Sequence, residues 1–300
     1  MKQRTMKLAA CLSVMVCASA AAAQTCDAGG MTVQVLGSGG PRINRERAST
    51  SYLVWLDGQG KILVDVGGGT FSHFGQAGGR LEDLSVIAIS HVHPDHVSDL
   101  PALLWLSNLA RKEPLPISGP SGGDVTPDFP AFLSRLFDET TGAFPLLGGT
   151  LGGAGLGVRL NVTRLDAAKP EPLTVLEQSG IRVTALSVPH GNIPSLAYKV
   201  QTPAATVVFG SDQTGTNPRF IEFAQRADVL VLHLMIGVGE TNPLHASPFV
   251  VGQVARDANP RRLVLSHIGQ FDLAKAVMEV QKLYSGPVIV GADLQCVPVQ

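Results

Sequence analysis

Six consecutive residues constrain this chain more than any other stretch: His91-Val92-His93-Pro94-Asp95-His96. They follow Val86–Ser90, a short apolar run of the kind that forms a strand buried inside a sheet. They precede Asp99–Arg111, where Leu100, Leu103, Leu104 and Leu106 fall at helical spacing and Pro101 sits at a tolerated first-turn position. Polar donors are thus packed onto a strand-to-helix junction, where sites are usually built. On an extended backbone His91 and His93 point to one side, and the turn at Pro94 lets Asp95 and His96 face a second point. Neutral imidazole and carboxylate suit zinc, iron or manganese. A merely histidine-rich surface loop would not need a buried strand in front of it.

One loop rarely closes a metal site, so completing ligands are sought at other strand ends. His190 follows Ile181–Ser187, Asp212 follows Thr206–Gly210, and His267 follows Leu263–Ser266. Each is a polar residue just past an apolar run. A lone histidine in that position is usually a solvated or hydrogen-bonded one; the recurrence of the pattern carries the argument. Further strands are expected at Met31–Leu36, Tyr52–Leu56, Lys61–Val66, Val158–Arg164, Leu196–Gln201, Val229–His233 and Val288–Val290. Helices are expected at Phe129–Phe137, Pro218–Gln225, Ser247–Asp257 and Leu273–Leu283. Strands with interspersed helices predict a layered α/β protein, and no linker divides it. Residues 142–157, GAFPLLGGTLGGAGLG, are apolar, uncharged and glycine-rich, and are expected to form a mobile loop or hairpin at the substrate mouth.

Residues 1–23 read as a cleavable secretory signal: Lys2, Arg4 and Lys7, an apolar Leu8–Ala20, then Ala21-Ala22-Ala23. Residues 24–300 then form the folded domain, in the periplasm or secreted, with no membrane attachment after cleavage. Cys11 and Cys17 leave with the signal, and Cys26 and Cys296 are expected to pair in an oxidising compartment. The whole chain carries 23 Lys and Arg against 24 Asp and Glu, and its apolar fraction of 45% excludes overall disorder. Loss of the three signal cations leaves a net charge of −4. That balance offers no strong field for gathering nucleic acid, so none is expected as a partner.

On these motifs the chain resembles the metallo-β-lactamase superfamily of dinuclear metallohydrolases, from about Thr32 to Ala292. The resemblance implies a four-layer αββα sandwich. It assigns His91, His93 and His190 to one metal, Asp95, His96 and His267 to the other, and Asp212 as the bridge. It implies two zinc ions, with iron or manganese possible on the same ligands. Such ions, about 3.5–4 Å apart, lower the pKa of a hydroxide held between them. Asp65, in Leu63-Val64-Asp65-Val66-Gly67, matches a motif whose aspartate supports the metal loop. β-Lactamases of the superfamily carry Cys or Ser where this chain has Asp212.

The nearest resemblance is to the ribonuclease Z, arylsulfatase and cyclic-nucleotide phosphodiesterase group. It lies in Leu36-Gly37-Ser38-Gly39-Gly40-Pro41, in Arg47–Leu53, and in Leu244-His245-Ala246-Ser247, which resembles the ribonuclease Z H-S-T segment. His245 is then the general acid, and with Asp95 and Asp212 makes up the catalytic set. Where ribonuclease Z has an H-E-A segment this chain has Leu232-His233-Leu234, and His233 is read as a buried structural residue. No basic tRNA-clamping arm is visible. The implied function is an exported dinuclear hydrolase of a small ester, a phosphodiester or aryl sulfate. β-Lactam, lactone or thioester hydrolysis and a non-catalytic metal-binding member are the alternatives, and the group suggests a homodimer.

Overall fold

The apolar runs pair into two mixed sheets of seven strands each. In the computed structural model, which describes residues 26, 29–105 and 111–299, the first sheet holds β1 (Met31–Gly37), β2 (Ser51–Leu56), β3 (Gln59–Val64), β4 (Val86–Ala88), β5 (Leu115–Pro120) and β6 (Leu160–Leu165) in that order, with β14 (Cys296–Pro298) beside β1. The second runs in reverse order from β13 (Val288–Val290) through β12 (Arg262–Ser266), β11 (Val229–His233), β10 (Thr206–Phe209), β9 (Ser195–Gln201) and β8 (Ile181–Val188) to β7 (Leu173–Gln178). β3 to β6 are mutually parallel, as are β10 to β13.

Alternation along the strands builds three apolar layers. Val33, Val35, Tyr52 and Val54 of the first sheet meet Val183, Tyr198, Val207 and Val231 of the second in a central layer. Leu53, Leu63 and Ile87 point outward. They pack under α1 (Thr70–Gln76), α2 (Pro94–Val97), α3 (Leu100–Leu104) and α4 (Phe129–Phe137) through Phe74, Val97, Leu103, Phe129 and Phe137. Val208, Leu230 and Leu263 pack under α5 (Pro218–Ala224), α6 (Pro248–Ala258) and α7 (Leu273–Gln281) through Phe220, Val251 and Val280. With both faces covered, a central strand such as β11 is buried throughout, which is why it reads as an unbroken apolar run. The result is the four-layer αββα sandwich. Side-chain caps start the outer helices: Asp128 accepts from the Ala131 N–H, Ser247 from Val250 and Asp272 from Lys275.

Two local expectations are corrected. The helix expected over Asp99–Arg111 ends at Leu104, and Trp105 turns to an extended conformation (φ −69°, ψ 131°). There the Leu104 carbonyl accepts from the Val158 N–H, a tertiary partner that helical spacing does not reveal. Residues 106–110 of that expected helix lie outside the described residues, as does the signal segment 1–23. The second correction concerns residues 142–157, which are more than a mobile loop or hairpin. They form a 3-10 helix, Pro145–Leu151, held against α3 and α4 with Leu147 and Thr150 buried. Backbone N–H groups of Ala143 and Phe144 donate to Arg135 and Leu136 of α4, and Ala154 N–H donates to Glu139 at 2.7 Å. Close packing demands the glycines here: a Cβ at Gly149 would lie 2.7 Å from the Gly155 carbonyl oxygen.

Cys26 and Cys296 are joined, Cα to Cα 5.6 Å, across a separation of 270 residues. The link closes the edge of the first sheet, where β14 pairs with β1. Among the described residues no helix is long and apolar enough to cross a membrane. Closing so long a loop stabilises by at most about 5 kcal/mol. The denatured, unreduced protein lacking residues 1–23 should show no free thiol in a thiol titration. Cys296→Ala should lower Tm by roughly 10 °C in a calorimetric scan; two titratable thiols and an unchanged Tm would remove the link.

Candidate metal centre

Parallel pairing puts strand ends on one edge. β3 and β4 deliver Asp65 and the His91–His96 loop there, and β10, β11 and β12 deliver Asp212, His233 and His267. β8 runs antiparallel to β9, and β9 to β10, so β8 ends at the same edge and supplies His190. Of the eight histidines in the chain, only His73 lies elsewhere, on α1, bonded to the Leu36 carbonyl.

The structure brings all seven sequence-predicted ligands together. His91 Nε2 lies 3.0 Å from His93 Nδ1, which lies 3.4 Å from His190 Nε2. His267 Nε2 lies 3.1 Å from Asp95 Oδ2, and His96 Nε2 lies 3.6 Å from the same oxygen. These two clusters share one group. Asp212 Oδ2 is 3.7 Å from His91 Nε2 and 3.6 Å from both His96 Nε2 and His190 Nε2, while Oδ1 is 3.3 Å from His267 Nε2. Ligand atoms within each cluster are close enough to hold one ion.

Seven further contacts set the donors. Asp65 Oδ2 accepts from His96 Nδ1 at 2.8 Å, which frees Nε2 to face inward. The same carboxylate accepts from the Ser90 N–H and hydroxyl, and the hydroxyl lies 3.0 Å from His91 Nδ1. His190 Nδ1 donates to the Leu244 carbonyl at 2.8 Å, again leaving Nε2 free. His233 Nδ1 donates to Asp212 Oδ1 at 2.6 Å, and its Nε2 accepts from the Tyr52 hydroxyl at 3.1 Å. His233 is therefore more than filler in the core: it fixes the shared carboxylate. Its signal was the one used for the other ligands, a polar residue closing an apolar strand, but its partner is set by the parallel register of β10 and β11.

Backbone strain concentrates here. Asp65 (φ 58°), Ser211 (φ 56°) and His267 (φ 51°) are all left-handed, at a cost of about 1–3 kcal/mol each. Gly40 makes room for the His267 ring, since a Cβ there would lie 2.6 Å from its Cε1.

The charge pattern fits metal ions. Asp65, Asp95 and Asp212 are at most 8% exposed, and among the described residues no Lys or Arg pairs with any of them. Only imidazoles do. Burial pushes His91, His93 and His190 down, so their lone pairs are available. Burial works against an ionised Asp95, but the hydrogen bond from His267 and the nearby His96 hold it at about 2. Asp212 is likewise held well below the usual range by His267, His233 and His96 against its burial. His96 is raised despite burial, because Asp65 and Asp212 flank it. Buried His96 Nε2, which faces the Asp95 and Asp212 carboxylates, has no hydrogen-bond partner. Such a set of buried anions and inward lone pairs is chemically complete only with cations among them. His245 stands beside it, Nδ1 buried without a hydrogen-bond partner and 3.9 Å from Asp212 Oδ1, its pKa pushed by burial to about 4.

Comparison with known proteins gives the family. A family model described as a beta-lactamase superfamily domain matches residues 61–268. The chain belongs to the metallo-β-lactamase superfamily. It is a metal-dependent hydrolase of that fold, near ribonuclease Z. A ribonuclease Z from Mycobacterium bovis is 26% identical over 299 residues, covering 90% of this chain and 98% of that one. A ribonuclease Z from Methanosarcina mazei is 28% identical over 293 residues, covering 86% and 95%. Among solved structures, the metallo-beta-lactamase fold protein YhfI from Bacillus subtilis superposes with TM-score 0.68 at 22% identity, covering 89% of this chain and 98% of that one. The short form of human tRNase Z does so with TM-score 0.68 at 20% identity, covering 90% and 99%.

These relatives overturn the expectation of a small-ester partner with nucleic acid excluded. The physical reason is that net charge describes the far field only. A superfamily site meets phosphate with its ions and its local side chains, and a chain near neutrality can carry both.

Replacing the group that orients His96 should loosen the ions without unfolding the protein. Asp65→Asn is expected to weaken zinc binding about 10–100-fold in a chelator competition; wild-type affinity would show that Asp65 orients nothing.

Proposed function

We propose that the protein is an exported phosphodiesterase that binds two zinc ions per chain and takes RNA as its substrate class. The observation that carries the reading is the shared Asp212 carboxylate, whose Oδ2 lies within 3.7 Å of ligand atoms from both clusters. A carboxylate so placed supports a paired-ion site of the kind used for in-line phosphoryl chemistry. His91, His93 and His190 would hold one ion, Asp95, His96 and His267 the other, with Asp212 between them. When bound, the ions supply Lewis acidity for the phosphate oxygens and lower the pKa of a water. The relatives named ribonuclease Z support the choice of substrate. The signal-like residues 1–23 and the Cys26–Cys296 link support export.

The chain's own residues do the rest. Asp65, the Leu244 carbonyl and His233 fix the direction of His96, His190 and Asp212. His245 faces the centre with an uncommitted Nδ1; a phosphate bound beside it would raise its pKa from about 4 and let it serve as the proton donor to the leaving oxygen.

The metal-replete protein should cleave both single-stranded RNA and bis-p-nitrophenyl phosphate, lose both activities to a chelator and regain them with zinc. No cleavage of either substrate would contradict the reading. His245→Ala should slow RNA cleavage by about 10²–10⁴-fold. It should slow the nitrophenyl ester far less, because nitrophenolate leaves without a proton. Equal losses on both substrates would take the proton-donor role from His245.

A further inference from the structure

A cleft of about 730 Å³ opens on the same edge as the metal centre and shares a residue with it, since His190 forms part of its wall. The remaining walls come from the rest of the loop after β8 and from three other strand ends: Ser121 after β5, residues 167–170 after β6, and residues 216–219 after β10. β5 and β6 run parallel to β4, so they end where β4 delivers His91. A group seated in this cleft is therefore a neighbour of whatever the ions hold. Hydrogen bonds within the walls fix the shape. Ala167 N–H donates to Ser121 Oγ at 3.0 Å, which ties the turn after β6 to the loop after β5. Asn217 Nδ2 donates to the Ser187 carbonyl at 2.9 Å and Thr214 N–H to the Pro189 carbonyl at 2.9 Å, which tie the chain after β10 to the end of β8.

The chemistry of the walls narrows the ligand. Pro170, Pro189, Pro194 and Pro218 give them rigid apolar rings. Of the two cations, Arg219 is committed, donating to Glu171 Oε1 at 2.9 Å. Lys169 and Asn192 are exposed, and among the described residues their side chains have no hydrogen bond or ion pair. Apolar rings suit the face of a planar ring. An amide offers donors and an acceptor side by side, which the edge of a nucleobase can meet and a bare anion cannot. One free ammonium suits one phosphate. Together these match a single nucleotide unit.

We propose that this cleft holds the nucleotide adjoining the phosphate undergoing cleavage, with its base packed on the proline rings and hydrogen-bonded to Asn192, and its outer phosphate against Lys169. Asn192 then determines specificity, and RNA is discriminated by base at that one position. The proposal rests on the phosphodiesterase reading above, and the test separates the two. Asn192→Ala, Lys169→Ala and Ala168→Trp, which puts a bulky ring into the cleft wall, are compared with wild type and with Lys275→Ala, a charge removed from α7 outside the cleft. In the zinc-loaded protein, kcat/KM is measured on short single-stranded oligomers of A, of C and of U. The best and worst should differ about tenfold in wild type and in Lys275→Ala, and by less than about twofold in Asn192→Ala and Ala168→Trp. Binding of labelled phosphorothioate forms of the same oligomers, followed by fluorescence anisotropy, should show the same base preference and the same collapse. Lys169→Ala should lose about 0.7 from the log–log salt slope, the share of one phosphate contact. A wild type indifferent to base, or a preference that survives Asn192→Ala, would overturn the proposal, and an unchanged slope would take the phosphate from Lys169. If wild type cleaves none of the oligomers, the catalytic reading falls by itself. The anisotropy arm then decides the cleft: a base preference lost in Asn192→Ala supports it, and no preference, or one retained, overturns it.

Discussion

Three carboxylates, those of Asp65, Asp95 and Asp212, lie buried at one edge of two packed sheets, and among the described residues their only ion-pair partners are histidines. A buried carboxylate without a partner costs several kcal/mol. Every other feature of the site answers that constraint. His96 sits between Asp65 and Asp212, and His267 between Asp95 and Asp212. His233 and Tyr52 extend the network into the layer between the sheets. Divalent cations at the meeting point of these groups would balance the charge that imidazoles alone balance only by holding protons.

The fold supplies the rigidity that this arrangement needs. Parallel strands end together, so side chains distant in sequence meet without long loops. Left-handed backbone at Asp65, Ser211 and His267 re-aims the chain just past those ends. Such strain persists only where the surroundings over-determine it. Here they do: Ser51 Oγ donates to the Asp65 carbonyl and Ser195 Oγ donates to the Asp212 carbonyl, each from a neighbouring strand. The layers on either side are packed with fully buried Phe, Leu and Val side chains.

Much of this was legible in the letters. His91, His93, His190, Asp212 and His267 each follow an apolar run, and strand ends in such a fold meet at an edge. What stayed hidden depends on partners. His233 looked like core because its hydrogen bond to Asp212 comes from sheet register, not from spacing. β7 escaped because it is an edge strand with no buried residue, so its alternation is weak. Residues 142–157 looked like a loop because glycine favours no element alone, yet their backbone folds on itself closely enough to exclude a Cβ at Gly149. Substrate class was misjudged from total charge, since that sum says nothing of what the side chains at the site itself can meet.

If one carboxylate, Asp212, joins two ions into a single centre, the positions of bound metal will show it. Anomalous diffraction from zinc-loaded crystals tests it directly, comparing wild type with Asp212→Ala. Two peaks per wild-type chain are expected, with the Asp212 side chain touching both, and the pair should be lost in the variant. A single peak in wild type, or two undiminished peaks in Asp212→Ala, would contradict it.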